Sequence, residues 1–122
     1  MILVDTSVWV DHFRVGDKAL TDLLLRNRVV AHPFVIGELA CGNLKDRNHV
    51  LGLLANLPKA AVASEQEILL FIEKRQLMGR GIGFIDVHLL AAVFLSEDLA
   101  LWTKDKRLAA LAEALGVGWK AK

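Results

Sequence analysis

A single cysteine, Cys41, excludes any internal disulfide, so the fold has to rest on packing. That usage fits a reducing compartment. There are only two prolines, Pro33 and Pro58, and no Gly/Ser-rich or charged run that would mark a linker or disordered segment. No internal repeat is visible. No apolar run is long enough for a membrane span. The longest, over 87–95, is broken by His88 and falls far short of the ~20 residues required. The N-terminus lacks the basic start and small-residue cleavage pattern of a signal peptide. Charge of one sign is also missing. Fifteen Lys and Arg against 14 Asp and Glu leave a net charge of +1, so bulk charge does not announce a nucleic-acid binder. A local basic rim would still suffice for one.

What remains is a chain of 122 residues, expected to form one domain over 1–122 and to be soluble and cytoplasmic. Its apolar content is 54%, with a mean hydropathy of +0.40. Average usage is ~45–50% apolar even with glycine counted. The surplus predicts apolar surface covered by a partner or a second copy.

Short apolar runs alternate with segments of helical period. Strands are expected at 2–5, 28–32, 60–63 ("AAVA"), 99–103 and 117–119. Helices are expected at 7–15, 18–27, from Pro33 to about Cys41, 46–57, from the capping box "SEQE" (64–67) to about Met78, across "FIDVHLLAAVFLSED", and at 106–115. Such alternation implies parallel pairing through crossovers, and apolar strands imply helices on both faces. The expectation is a three-layer α/β/α domain around a parallel sheet. Ligands then bind beyond the C-terminal strand ends. Asp5 and Asp105 lie at such ends.

Most of the 14 acids have ordinary readings. Asp22 has Lys18 and Arg26 one turn away, Asp11 has Arg14, and Glu67 belongs to the capping box. Glu38 and Asp86 have no basic residue on their helical faces. A carboxylate that loses water without a partner costs several kcal/mol or shifts its pKa. Singly, Asp5 and Asp105 could be helix N-caps, Asp86 a first-turn acid and Glu38 a side chain reaching solvent. Jointly, four carboxylates at one sheet edge repel unless a cation holds them. Oxygen ligands select Mg²⁺ or Mn²⁺, which points to phosphodiester hydrolysis.

Four blocks, "DTSVWVDHFR", "VIGELACG", "GIGFIDVHLLAAV" and "LWTKDKRL", resemble the PIN domain, and more narrowly the VapC-type toxins of toxin–antitoxin pairs. They span essentially the whole chain in the family's order. The resemblance implies a sheet of about five parallel strands and an Mg²⁺- or Mn²⁺-dependent endoribonuclease. It implies Asp5, Glu38, Asp86 and Asp105 as the catalytic, metal-binding acids, with Asp5 and Asp86 as the most direct ligands. Thr6 matches the hydroxyl beside the first acid, where it would orient a ligand or water, and Thr103 is expected to act likewise beside Asp105. The family further implies a VapB-type antitoxin, a homodimer, and operator DNA bound only through the antitoxin.

The leucine-rich helices at 17–27 and 46–57 are candidate walls of a groove for a partner helix. Arg80, in "MGRGIG", and Lys104 are candidate contacts to RNA phosphate, with Lys106 and Arg107 completing a basic rim. The four histidines show no zinc-ligand spacing. Cys41 reads as a small buried residue, and Trp9, Trp102 and Trp119 as core or interface. Two rival readings differ in class. A receiver-type signalling module needs an aspartate closing its third strand, and "AAVAS" holds none. A PIN-like domain that binds RNA without cutting it would take up metal but turn over no RNA.

Overall fold

The computed structural model describes residues 1–121. Its elements are β1 (Ile2–Val4), α1 (Thr6–Val15), α2 (Lys18–Leu25), β2 (Val29–Val30), α3 (Pro33–Ala40), α4 (Arg47–Asn56), α5 (Glu65–Arg75), α6 (Phe84–Phe94), β3 (Ala100–Trp102) and α7 (Lys106–Ala114). The sheet is parallel with order β2-β1-β3. Ile2 is in register with Val29 and Ala100, Leu3 with Val30 and Leu101, and Val4 with Trp102. Ile2, Leu3 and Val4 are all buried. Successive strand side chains point to opposite faces, so both faces of the sheet are covered.

The sheet is narrower than the five strands expected. Its outer rows shrink to single bridges, Ala31 with Lys59 and Leu101 with Gly118. At one edge Ala31 N–H donates to Pro58 O (2.9 Å) and Ala60 N–H to Ala31 O (2.8 Å). Beyond Ala60 the residues Ala61 and Val62 turn to solvent, and Ser64 already caps α5, so "AAVA" has no room to pair. At the other edge Leu101 N–H donates to Val117 O and Trp119 N–H to Leu101 O, both 2.8 Å.

Helix ends follow local chemistry. Both halves of the Ser64/Glu67 capping box are formed. α5 stops earlier than expected, at Arg75, because Gln76 takes a left-handed conformation (φ 52°) and Leu77 N–H closes back onto Ile72 O, burying Leu77. α6 is buried from Val87 to Val93 and packs on β3 and α5. An apolar helix enclosed on all sides is the interior element of such a fold. Cys41 is exposed and not buried as expected, because it is the C-cap of α3, where the chain turns away at Gly42. No helix among the described residues is long and apolar enough to cross a membrane.

Candidate active site

Asp5 follows β1 directly. Its N–H still donates to Trp102 O (2.9 Å), so the sheet fixes its backbone. Its side chain is buried and accepts from three protein donors. Oδ1 takes the Thr6 N–H (2.7 Å), while Oδ2 takes the hydroxyls of Ser7 (2.8 Å) and Thr103 (2.7 Å). Bonds to a charged acceptor are strong enough to retain a carboxylate out of water. The hydroxyls continue the network. Thr103 Oγ1 accepts Asp105 N–H (3.1 Å), and Ser7 Oγ accepts Lys104 N–H (3.0 Å). Thr103 therefore links Asp5 to the backbone of Asp105, from 98 residues away in the chain.

The other three acids surround this link. Asp105 caps α7, its Oδ1 accepting Leu108 N–H (3.0 Å). Glu38, exposed on α3, accepts the Thr6 hydroxyl on Oε1 (2.7 Å). Asp86, half-buried in the first turn of α6, accepts Gly83 N–H on Oδ2 (3.1 Å). Burial pushes the Asp86 carboxyl above the usual carboxylate range. The charges of Asp5, Asp105 and Glu38 push it further, against the bond from Gly83. All four acids thus act at one sheet edge. The ordinary readings hold as well: Asp5 and Asp105 do cap helices, Asp86 does sit in a first turn, and Glu38 does reach solvent. Capping uses one oxygen and leaves the other. Among the described residues Glu38 Oε2, Asp86 Oδ1 and Asp105 Oδ2 accept no protein hydrogen bond.

Among the described residues no three His, Cys, Asp or Glu side chains stand close enough to ligate one ion together. The acids share a field without sharing one coordination sphere. That donor set fits a hard cation that keeps several waters and takes one or two carboxylates directly, as Mg²⁺ does.

The basic residues are disposed differently from the acids. Arg80 is exposed in the loop before α6, and its Nε donates to Gln76 O (3.3 Å). Lys104 is clamped instead of free. Its Nζ lies 3.1 Å from Asp11 and 3.0 Å from Asp17, and these bonds raise its pKa, Asp17 first. That clamp ties α1 and α2 to the segment before Asp105 and engages the ammonium expected as a candidate RNA contact in two ion pairs.

Two further residues gain weight from the geometry. Ser7 bonds Asp5, and its position two residues on was the available signal. Arg107 Nη1 lies 3.5 Å from Gly81 O, across the loop that leads to Asp86. Gly81 has φ +76°, and a Cβ there would sit 2.5 Å from that same nitrogen. The conformation favours glycine, and a side chain there would displace the flexible Arg107 head group. This contact joins residues 26 apart in sequence and carries no local signature.

Behind the edge, His32 caps α3, its Nδ1 accepting Phe34 N–H (3.0 Å), so its proton sits on Nε2. Burial, with His88 nearby, lowers its pKa to about 4. Its Nε2 and His88 Nδ1 are buried without a protein partner.

An apolar groove of about 560 Å³ opens beside Thr6 and Glu38, walled by Val10 and Phe13 of α1, Leu39 of α3, Leu44, and Val50 of α4. Of the two leucine-rich helices expected to wall a groove, the one at 46–57 contributes and the one at 17–27 does not.

The chain matches the family model of the PIN domain over residues 2–114. It is 48% identical over 117 residues to ribonuclease VapC32 of Mycobacterium tuberculosis, strains CDC 1551 / Oshkosh and ATCC 25618 / H37Rv. The alignment covers 96% of this chain and 94% of each relative.

Proposed function

Because the chain belongs to the PIN-domain family, and to its VapC type, we propose that it is a divalent-metal-dependent endoribonuclease, the toxin of a pair whose VapB-type antitoxin holds it inactive. The observation that carries this reading is Asp86. It is a half-buried carboxylate, raised by burial and by three other acids, and among the described residues it enters no ion pair with Lys or Arg. A group in that state calls for a cation from outside the chain.

In this reading the four acids Asp5, Glu38, Asp86 and Asp105 hold Mg²⁺ or Mn²⁺ between them, one or two directly and the others through the waters the ion keeps, with Glu38 Oε2, Asp86 Oδ1 and Asp105 Oδ2 free of protein hydrogen bonds among the described residues. The metal supplies polarisation of the scissile phosphate and a water of lowered pKa. Thr103 fixes the orientation of Asp5 and the backbone of Asp105 together, and Thr6 does the same for Asp5 and Glu38. Arg80, exposed before α6, meets RNA phosphate. An amphipathic antitoxin helix suits the 560 Å³ groove, which borders Glu38 and Thr6, so that a bound helix blocks RNA from the acids. Exposed Leu69, Leu70 and Leu95 support a homodimer, and operator DNA is reached only through the antitoxin. The cytoplasm is the expected compartment.

The test is cleavage of total RNA by antitoxin-free protein with Mg²⁺ or Mn²⁺, with EDTA, and with Asp5→Ala. Discrete fragments that need both the metal and Asp5 support the assignment. A folded Asp5→Ala variant that cuts as fast as the parent sinks it. Metal uptake without RNA turnover favours the binding-only reading.

A further inference from the structure

Charge of the opposite sign collects along the flank of α2. A groove of about 710 Å³ lies between that helix and the C-terminal segment, lined by Lys18, Arg26, Arg28 and Lys120 with Asp22 and Trp119. Four cations meet one carboxylate there, in a chain whose net charge is only +1. Arg26 is paired with Asp22 (3.2 Å) and Lys120 with Glu113 (3.1 Å). Lys18 and Arg28 are exposed and enter none of the ion pairs among the described residues. Trp119 is half-buried. Its backbone N–H donates to Leu101 O (2.8 Å), and its ring meets Trp102 edge-on at 4.7 Å.

The groove also points somewhere. α2 starts beside the acid edge, since its N-cap Asp17 accepts Lys104 Nζ, and Lys104 adjoins Asp105. The helix is eight residues long, roughly 12 Å, and the chain beyond it reaches Arg28, at the start of β2 and the far end of the sheet. Cations unpaired among the described residues therefore mark both ends of a groove that leads away from the acids, with the Trp119 indole along it. Cations that follow a backbone, combined with an aromatic face, are the composition of a single-strand track, because every base offers a π-face to stack on.

We propose that this groove is a second RNA site, a track that holds a single-stranded stretch of the substrate with phosphates on Lys18 and Arg28 and a base against Trp119. This rests on the ribonuclease reading for the identity of the ligand, and the experiment separates the two. Binding of fluorescein-labelled oligo(U) is measured in EDTA over a salt series, for the parent and for Lys18→Gln/Arg28→Gln. Each phosphate contact on a single strand contributes about 0.7 to the slope of log Kd against log salt, so the double variant lowers that slope by about 1.4. Lys74→Gln, on α5, keeps the parent slope, and matched melting curves check folding. RNA also quenches tryptophan emission in the parent but not in Trp119→Phe, since Trp9 and Trp102 are buried. An unchanged slope in the double variant overturns the proposal, as does a parent that binds no RNA. A loss seen with polyglutamate in place of RNA also overturns it and makes the groove a protein-docking surface. If RNA binds through the groove but is never cut when metal is added, the ribonuclease reading fails and the track stands. If RNA is cut and the variants bind as tightly as the parent, the reverse holds.

Discussion

Replacing Thr103 with valine tests whether the Asp5 network carries weight in the fold. Valine keeps the shape of the side chain and removes one hydroxyl. That hydroxyl donates to Asp5 Oδ2 at 2.7 Å and accepts Asp105 N–H at 3.1 Å. A hydrogen bond to a charged group contributes about 1.5–3 kcal/mol net, and an orphaned, partly buried N–H adds to its loss. The expected cost is about 2–3 kcal/mol, a large share of the ~5–15 kcal/mol that holds a typical domain. For a chain of this size that lowers Tm by roughly 10 °C. The assay is urea unfolding in EDTA, reading a lower midpoint at constant m. A double-mutant cycle locates the effect. In an Asp5→Ala background the Thr103→Val cost should fall by about 1 kcal/mol or more, because the charged acceptor is gone. A cost under about 0.5 kcal/mol, or the full cost surviving without Asp5, would refute the reasoning.

Two further predictions concern charge. Asp86→Asn keeps an acceptor for Gly83 N–H but removes a carboxylate that burial and its acid neighbours have raised above 3.8. The ionised form therefore weakens the metal-free fold as pH rises, so the variant melts above the parent at neutral pH in EDTA, the gap narrows on acidification, and RNA cleavage is lost; a variant that melts below the parent contradicts this. His32 has the opposite sign. Its folded pKa of about 4 lies below the ordinary 6.5, so its contribution is complete above 6.5 and is lost as pH falls toward 4. Urea midpoints of the Asp86→Asn variant, where the opposing Asp86 titration is absent, should drop over that window, and a flat profile would mean that His32 takes up its proton without unfolding.

The alternation of strands and helices was legible because β1, β2 and β3 are apolar throughout and the helix starts carry caps such as Ser64 and Pro33. The acids stood out for a similar local reason, since a turn of helix shows whether a carboxylate has a basic neighbour. What escaped is tertiary. Thr103 does stand beside Asp105, whose N–H it accepts, but nothing in the sequence shows that its own proton goes to Asp5, which follows β1, 98 residues earlier. Asp11 has Arg14 three residues on and does pair with it (3.3 Å). The same carboxylate also takes Lys104, and Asp17 completes the clamp. Sheet width failed for a different reason. A run such as "AAVA" can look like a strand, but whether it pairs depends on where the neighbouring edge ends and where the next cap begins.

The middle strand of the sheet comes before both of its neighbours in the chain. β1 lies between β2 and β3, and its second neighbour begins only at Ala100. During synthesis, β1 waits with one side open until Ala100 to Trp102 have emerged, and the Thr103 hydroxyl that anchors Asp5 arrives later still. A chain that has not yet reached Thr103 and Asp105 therefore has no assembled acid edge. On the ribonuclease reading proposed above, a regulator that captures the nascent chain before Thr103 emerges meets a molecule whose site does not yet exist.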